Sequence, residues 1–89
     1  LTATIAAGTT VGTTTATVTA GTGDTLAYCL RSSALSPNGG AYIFGLTSYT
    51  SAAEIKASVG QVLNLFELDA NSRVVKFVAH ELVTADVKA

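Results

Sequence analysis

The sequence predicts a mainly β fold: a small β-sandwich or open barrel of about five to seven antiparallel strands with one short helix. Three observations carry this. Apolar and β-branched residues recur with period two between clusters of Gly, Asn, Asp and Ser, the pattern of short strands joined by turns. Thr13, Thr14, Thr15, Thr17 and Thr19 make a dense tract of a residue whose branched Cβ suits a pleated surface. Two apolar-rich runs, 61–68 and 73–83, flank the turn-prone tetrad Asp69, Ala70, Asn71 and Ser72.

The elements follow in order. Residues 2–6 read as a short strand ended by Gly8, and 13–20 as a second. Gly21, Thr22, Gly23 and Asp24 signal a turn, so a hairpin is expected between that strand and a third over 25–31. In the third strand Leu26, Tyr28 and Leu30 point one way and Ala27, Cys29 and Arg31 the other. Residues 32–41, with Pro37, Asn38, Gly39 and Gly40, read as a loop, and Tyr42–Phe44 as the start of a strand. Ser51, Ala52, Ala53 and Glu54 match a capping box, in which the serine caps an orphan N–H and the glutamate reaches back; a helix of about two turns is expected to follow and to stop at Val59 and Gly60. The runs 61–68 and 73–83 are expected to form an antiparallel hairpin that buries Phe66 and Phe77. A length of 89 residues suits one core, hence one domain over 1–89.

Charge is the unusual quantity. Asp, Glu, Lys and Arg make up 12% of the chain, about half the usual share, while apolar residues make up 48%. Residues 1–53 hold only Asp24 and Arg31; the other charged side chains lie in 54–89. A net charge of −1 offers no basic face for nucleic acid. No run of about 18 apolar residues is present and no polybasic stretch, so membrane insertion is not expected. A chain that starts at Leu1 and lacks Met fits either an excised or trimmed piece or a proteolytically matured protein whose signal peptide is gone.

Residue types with chemistry are sparse. Cys29 is the sole cysteine and His80 the sole histidine, with no nucleophile-elbow or cysteine-protease signature around them. Glu67 and Asp69 lie two apart on a strand, without the tryptophan-lined cleft that glycosidase carboxylates occupy. The stretch 69–73 opens like an oxygen-rich calcium loop, but Arg73 stands where a ligand belongs and no bidentate glutamate follows. No catalytic residue, cofactor or metal is therefore expected, and the protein is not expected to be an enzyme. Tyr42, Phe44 and Tyr49 lie near a glycine loop and could form a platform for a glycan or peptide.

The spaced residues Gly23-Asp24-Thr25-Leu26-Ala27-Tyr28, Ala41-Tyr42, Ser48-Tyr49-Thr50-Ser51 and Val59-Gly60-Gln61, with the hairpin 65–77 and the ending 82–88, resemble modules of bacterial surface and S-layer-type proteins. The hairpin also resembles segments of phage head-fibre or capsid-decoration proteins. This resemblance covers roughly residues 20–88 and implies a structural or display role outside the cytoplasm, at a cell or virion surface. The residues themselves point to association with other protein subunits as a homo-oligomer or larger assembly. Eleven threonines against one charge in residues 1–25 give a surface that is cheap to desolvate, and Thr13, Thr15, Thr17 and Thr19 are the expected contact residues.

Overall fold

A computed structural model describes residues 1–89. Seven strands, β1 (Ala3–Ala7), β2 (Thr13–Val18), β3 (Thr25–Arg31), β4 (Thr47–Tyr49), β5 (Glu54–Lys56), β6 (Val62–Leu68) and β7 (Val74–Glu81), are followed by one 3-10 turn, Thr84–Asp86. Two antiparallel sheets result, a small one ordered β1-β2-β5 and a larger one ordered β4-β3-β6-β7. The fold is a sandwich with open edges, not a barrel.

Strand alternation assigns the faces. In the small sheet Ile5 pairs with Ala16, and Thr14 with Ile55, so these residues point inward. In the larger sheet Tyr28 pairs with Leu65 and Leu65 with Val78, while Leu30 pairs with Leu63 and Leu63 with His80. The core between the sheets accordingly holds Ala16, Ile55, Leu63, Leu65 and Leu82, with Ile5, Tyr28, Leu30, Val78 and Val87 packed around them. The opposite face of the larger sheet carries Cys29, Phe66 and Val74, and the long 32–46 loop covers it with Leu35, Ile43 and Leu46. Buried Asn64 ties the loop down, its Oδ1 accepting from Leu35 N at 2.9 Å. The larger sheet is thus covered on both faces, which is why 62–68 is apolar without alternation.

The hairpin β6–β7 forms as its sequence predicts. Asp69 Oδ1 accepts from Asn71 N at 2.9 Å and Arg73 N at 3.0 Å, and Ser72 takes the left-handed conformation (φ 61°). A bulge at Glu67/Leu68 shifts the register. Phe66 is 1% exposed, but its cross-strand partner Phe77 is 38% exposed, because the loop reaches over β3 and β6 and leaves the middle of the edge strand β7 uncovered.

Besides the burial of Phe77, three expectations are corrected. No helix follows Ser51: the segment turns, with Ala52 at φ 68°, and enters β5. Both capping groups serve distant partners instead, Ser51 Oγ accepting from Val18 N at 2.9 Å and the Glu54 carboxylate accepting from the 8–13 turn. Ile55 is thereby 1% exposed in the core, worth more than about two turns of isolated helix. β2 and β3 do not form a hairpin. The turn at Gly21–Asp24 exists, with Asp24 N bonded to Gly21 O at 3.0 Å, but it carries the chain from one sheet to the other. Tyr42–Phe44 is loop rather than strand.

Candidate assembly surface

The outer face of the small sheet is built from alternate residues of β1 and β2. Thr4 lies opposite Thr17 and Ala6 opposite Thr15. Thr13, Thr15 and Thr17 share this face, and Thr19 continues past the strand end. Thr17 and Thr19 are exposed and Thr15 is half-buried. Thr13 is buried instead, its hydroxyl donating to Thr10 O at 2.6 Å. β2, the strand with the densest threonine, is the centre of its sheet, flanked by β1 and β5. The edge reasoning that pointed to it therefore passes to β1.

β5 adds two exposed charged residues to this face, Lys56 opposite Thr13 and Glu54 opposite Thr15, and Glu54 is held by the 8–13 turn. Thr9 N, Thr10 N (2.9 Å) and Thr10 Oγ1 (2.9 Å) all donate to its carboxylate. The main-chain N–H of Thr10, with the Thr10 hydroxyl and the Thr9 N–H, holds its carboxyl below the usual carboxylate range. Gly8 is required here: a Cβ would collide with Thr13 Oγ1 and stand 2.8 Å from Glu54 Oε2.

The three aromatic residues of the expected ligand patch do not come together. Tyr42 and Phe44 form an edge-to-face pair, centroids 4.9 Å apart, and are 52% and 79% exposed. Tyr49 lies elsewhere, packed edge-on against Tyr28 at 5.5 Å between the sheets. Its hydroxyl accepts from Ala16 N at 3.0 Å and donates to Ala53 O at 2.7 Å, bridging β4 of one sheet to β2 of the other.

The residues with chemistry are likewise separated. Cys29 is buried on the loop-covered face, whereas His80 points to the opposite face, two strand spacings (about 10 Å) away. His80 Nε2 lies 2.8 Å from Asp86 Oδ2, which also accepts from Val83 N at 3.0 Å. Burial pushes the Asp86 carboxyl up, but the Val83 N–H and His80 outweigh it and the net direction is down. Glu67 is buried, accepts from Gly21 N at 3.0 Å and takes a side-chain hydrogen bond from Asp24, which holds Glu67 low and Asp24 high. Asp69 spends its carboxylate on its own turn. No group of three or more His, Cys, Asp or Glu side chains is placed to hold a metal ion. The sequence reading missed two structural roles, the Tyr49 bridge and the Glu54 cradle; both depend on partners more than thirty residues away, and local spacing carries no signal of them.

What this geometry defines is a two-sheet β module whose polar side chains are spent on holding the chain together. Comparison with known proteins gives the class a family. The profile described as "S-layer protein SbsC C-terminal domain" matches residues 6–85. The chain belongs to this family of bacterial S-layer β modules. Of the two resemblances drawn from sequence, the surface-layer one is the one the comparisons carry. Two solved structures are similar over 96% of the chain. One is the S-layer protein SbsC, domains 7, 8 and 9 (TM-score 0.81, 26% identity); the other is surface layer protein SbsC, domains 4–9 (TM-score 0.82, 28% identity). The chain spans 27% and 14% of the length of those structures. No curated protein matches the sequence.

Proposed function

We propose that residues 1–89 form one non-catalytic structural module of a bacterial cell-surface layer, and that it associates with other protein subunits through the small sheet. The observation that carries this is the outer face of β1 and β2 in a chain of this family: Thr4, Ala6, Thr15 and Thr17, with no charged side chain on either strand. Hydroxyls and methyls lose little on leaving water compared with carboxylates or ammonium groups. The absence of an enzymatic role is supported by the separation of Cys29 from His80 and by carboxylates already committed to backbone donors. The test is sedimentation of the wild type and of Thr15→Lys and Thr17→Lys over a wide concentration range. The wild type should associate and the lysine variants should associate less while staying folded. A wild type that remains monomeric at high micromolar concentration refutes the reading.

A ligand-binding reading has one observation in its favour, the exposed Tyr42–Phe44 pair. The hollow beside it, lined by Tyr42, Ile43, Leu46 and Leu68, measures about 200 Å³, below the roughly 300–1,000 Å³ of small-molecule sites. Glycan-array binding that Phe44→Ala abolishes would favour this reading.

A further inference from the structure

The main chain of β1 has a free side. Gly8 N donates to Thr13 O at 3.0 Å, which fixes the alternation of the antiparallel ladder. Ala6 opposite Thr15 and Thr4 opposite Thr17 turn their N–H and C=O groups toward β2. Ala3, Ile5 and Ala7 turn theirs away from it, to the sheet edge. β2 obeys the same alternation on its other side, where Ala16 N meets Tyr49 Oη and Val18 N meets Ser51 Oγ. None of the outward groups of Ala3, Ile5 and Ala7 has a hydrogen-bond partner in another turn, loop or side chain.

The other edges of the sandwich are guarded. β4 and β5 are three residues each, and β5 carries Glu54 and Lys56. β7 carries Lys76 and Glu81 and faces a bulge, and its first residue is capped by the loop, with Gly40 N on Val74 O at 2.9 Å and Val74 N on Ala41 O at 2.8 Å. β1 has five residues, no charge, no proline and no bulge. Charge, proline and bulges are devices by which sheet edges avoid pairing, and β1 has none of these; the 3-10 turn Thr84–Asp86 packs against β1 but makes no hydrogen bond to its outward groups.

We infer that the occupant of this edge is β1 of a second copy of the chain, paired antiparallel about a two-fold axis through Ile5; the inference rests on the self-association proposed above. The sequence of the strand permits it. With Ile5 opposite its own copy, Ala3 falls opposite Ala7 and Thr4 opposite Ala6, so small uncharged side chains meet throughout. The outward residues Ala3, Ile5 and Ala7 then become the hydrogen-bonded pairs, giving about six main-chain bonds. The contact is isologous and therefore closes as a dimer, joining two three-stranded sheets into one of six. The partner must be a strand with the same spacing of free donors and acceptors, which this strand itself supplies.

Amide hydrogen exchange, read by residue at low and high protein concentration, tests this. The amides of Thr4 and Ala6 should be protected at both. Those of Ala3, Ile5 and Ala7 should exchange fast when dilute and slow at least about tenfold where sedimentation shows dimer. Ala7→Pro removes an outward N–H without touching the β1–β2 ladder, and should weaken dimerisation about tenfold to a hundredfold. Should that variant fail to fold, exchange on the wild type alone decides. Association without protection of these three amides overturns the edge pairing and leaves the self-association reading standing; no association at any concentration overturns both.

Discussion

Replacing Tyr49 by Phe isolates one contact between the two sheets. The ring and its edge-on packing against Tyr28 are retained, and only the hydroxyl is lost. That hydroxyl accepts from Ala16 N and donates to Ala53 O. Ala53 is exposed, so its carbonyl turns to water at little cost. Ala16 is 0% exposed, and its N–H would be left without a partner. A buried donor stranded in this way costs about 1–3 kcal/mol, so we expect a loss of about 2 kcal/mol. For a domain of this size that lowers the thermal midpoint by roughly 10 °C. A second readout is specific to the hydroxyl. Burial pushes the Tyr49 phenol above its usual value; the Ala16 backbone opposes this and Tyr28 adds to it. A phenol raised in the folded state contributes stability fully below its unfolded value, about 10, and loses it as pH rises through the folded one. The stability difference between wild type and Tyr49→Phe should therefore narrow in strongly alkaline solution. Chemical denaturation at neutral and alkaline pH measures both. A neutral-pH difference under about 0.5 kcal/mol would mean that Ala16 N–H finds another partner and that the hydroxyl does not join the sheets.

Glu54→Gln should remove an acid-sensitive part of the stability. The Glu54 carboxyl is held low by the Thr10 and Thr9 donors, so its contribution is present above the unfolded value and is lost as pH falls through the folded one; wild type and variant should differ at neutral pH and converge as acid protonates the folded carboxyl, in denaturation curves. Phe66→Ala should cost about 3–5 kcal/mol, whereas Phe77→Ala, at a 38% exposed position, should cost less than half as much; equal losses would mean that β7 is covered as fully as β6.

The parts of the fold legible in the sequence were those that depend on neighbouring residues. The β6–β7 hairpin follows from two apolar runs around a tetrad whose first side chain bonds its own backbone, and β3 has the span its alternation predicts. Failures arose where a local signal was outbid by a distant partner. Ser51 and Glu54 have the spacing of a capping box, yet Val18 and the 8–13 turn take their oxygens, and β5 forms because Ile55 must reach the core. Gly21–Asp24 turns as expected, but no local pattern says whether a turn returns the chain to its own sheet or passes it to the next. The threonine tract falls on β2, the centre of its sheet, where no local pattern distinguishes it from an edge. Composition marks a surface as uncharged; only topology says which strand of it has a free edge.

The distribution of charge gains a physical sense from that topology. The two long outer strands of the sandwich solve the edge problem differently. β7 has Lys76, Glu81, a bulge and a loop across its start, all of which make covering it costly. β1 has alanine, threonine and one isoleucine, and beside it lies a face of threonine. A general shortage of charge in the chain does not explain the contrast, because nine of the eleven charged residues were available to 54–89 and only two to 1–53. Nor does folding demand it: the outer face of a three-stranded sheet in water tolerates lysine and glutamate as readily as threonine. Hydroxyls and methyls suit a surface that meets water before assembly and protein after it, since neither state imposes a large desolvation cost. Uncharged side chains along β1 and β2, with charge placed on the edge strands β5 and β7, are thus what a module needs if it is to add a neighbour along β1.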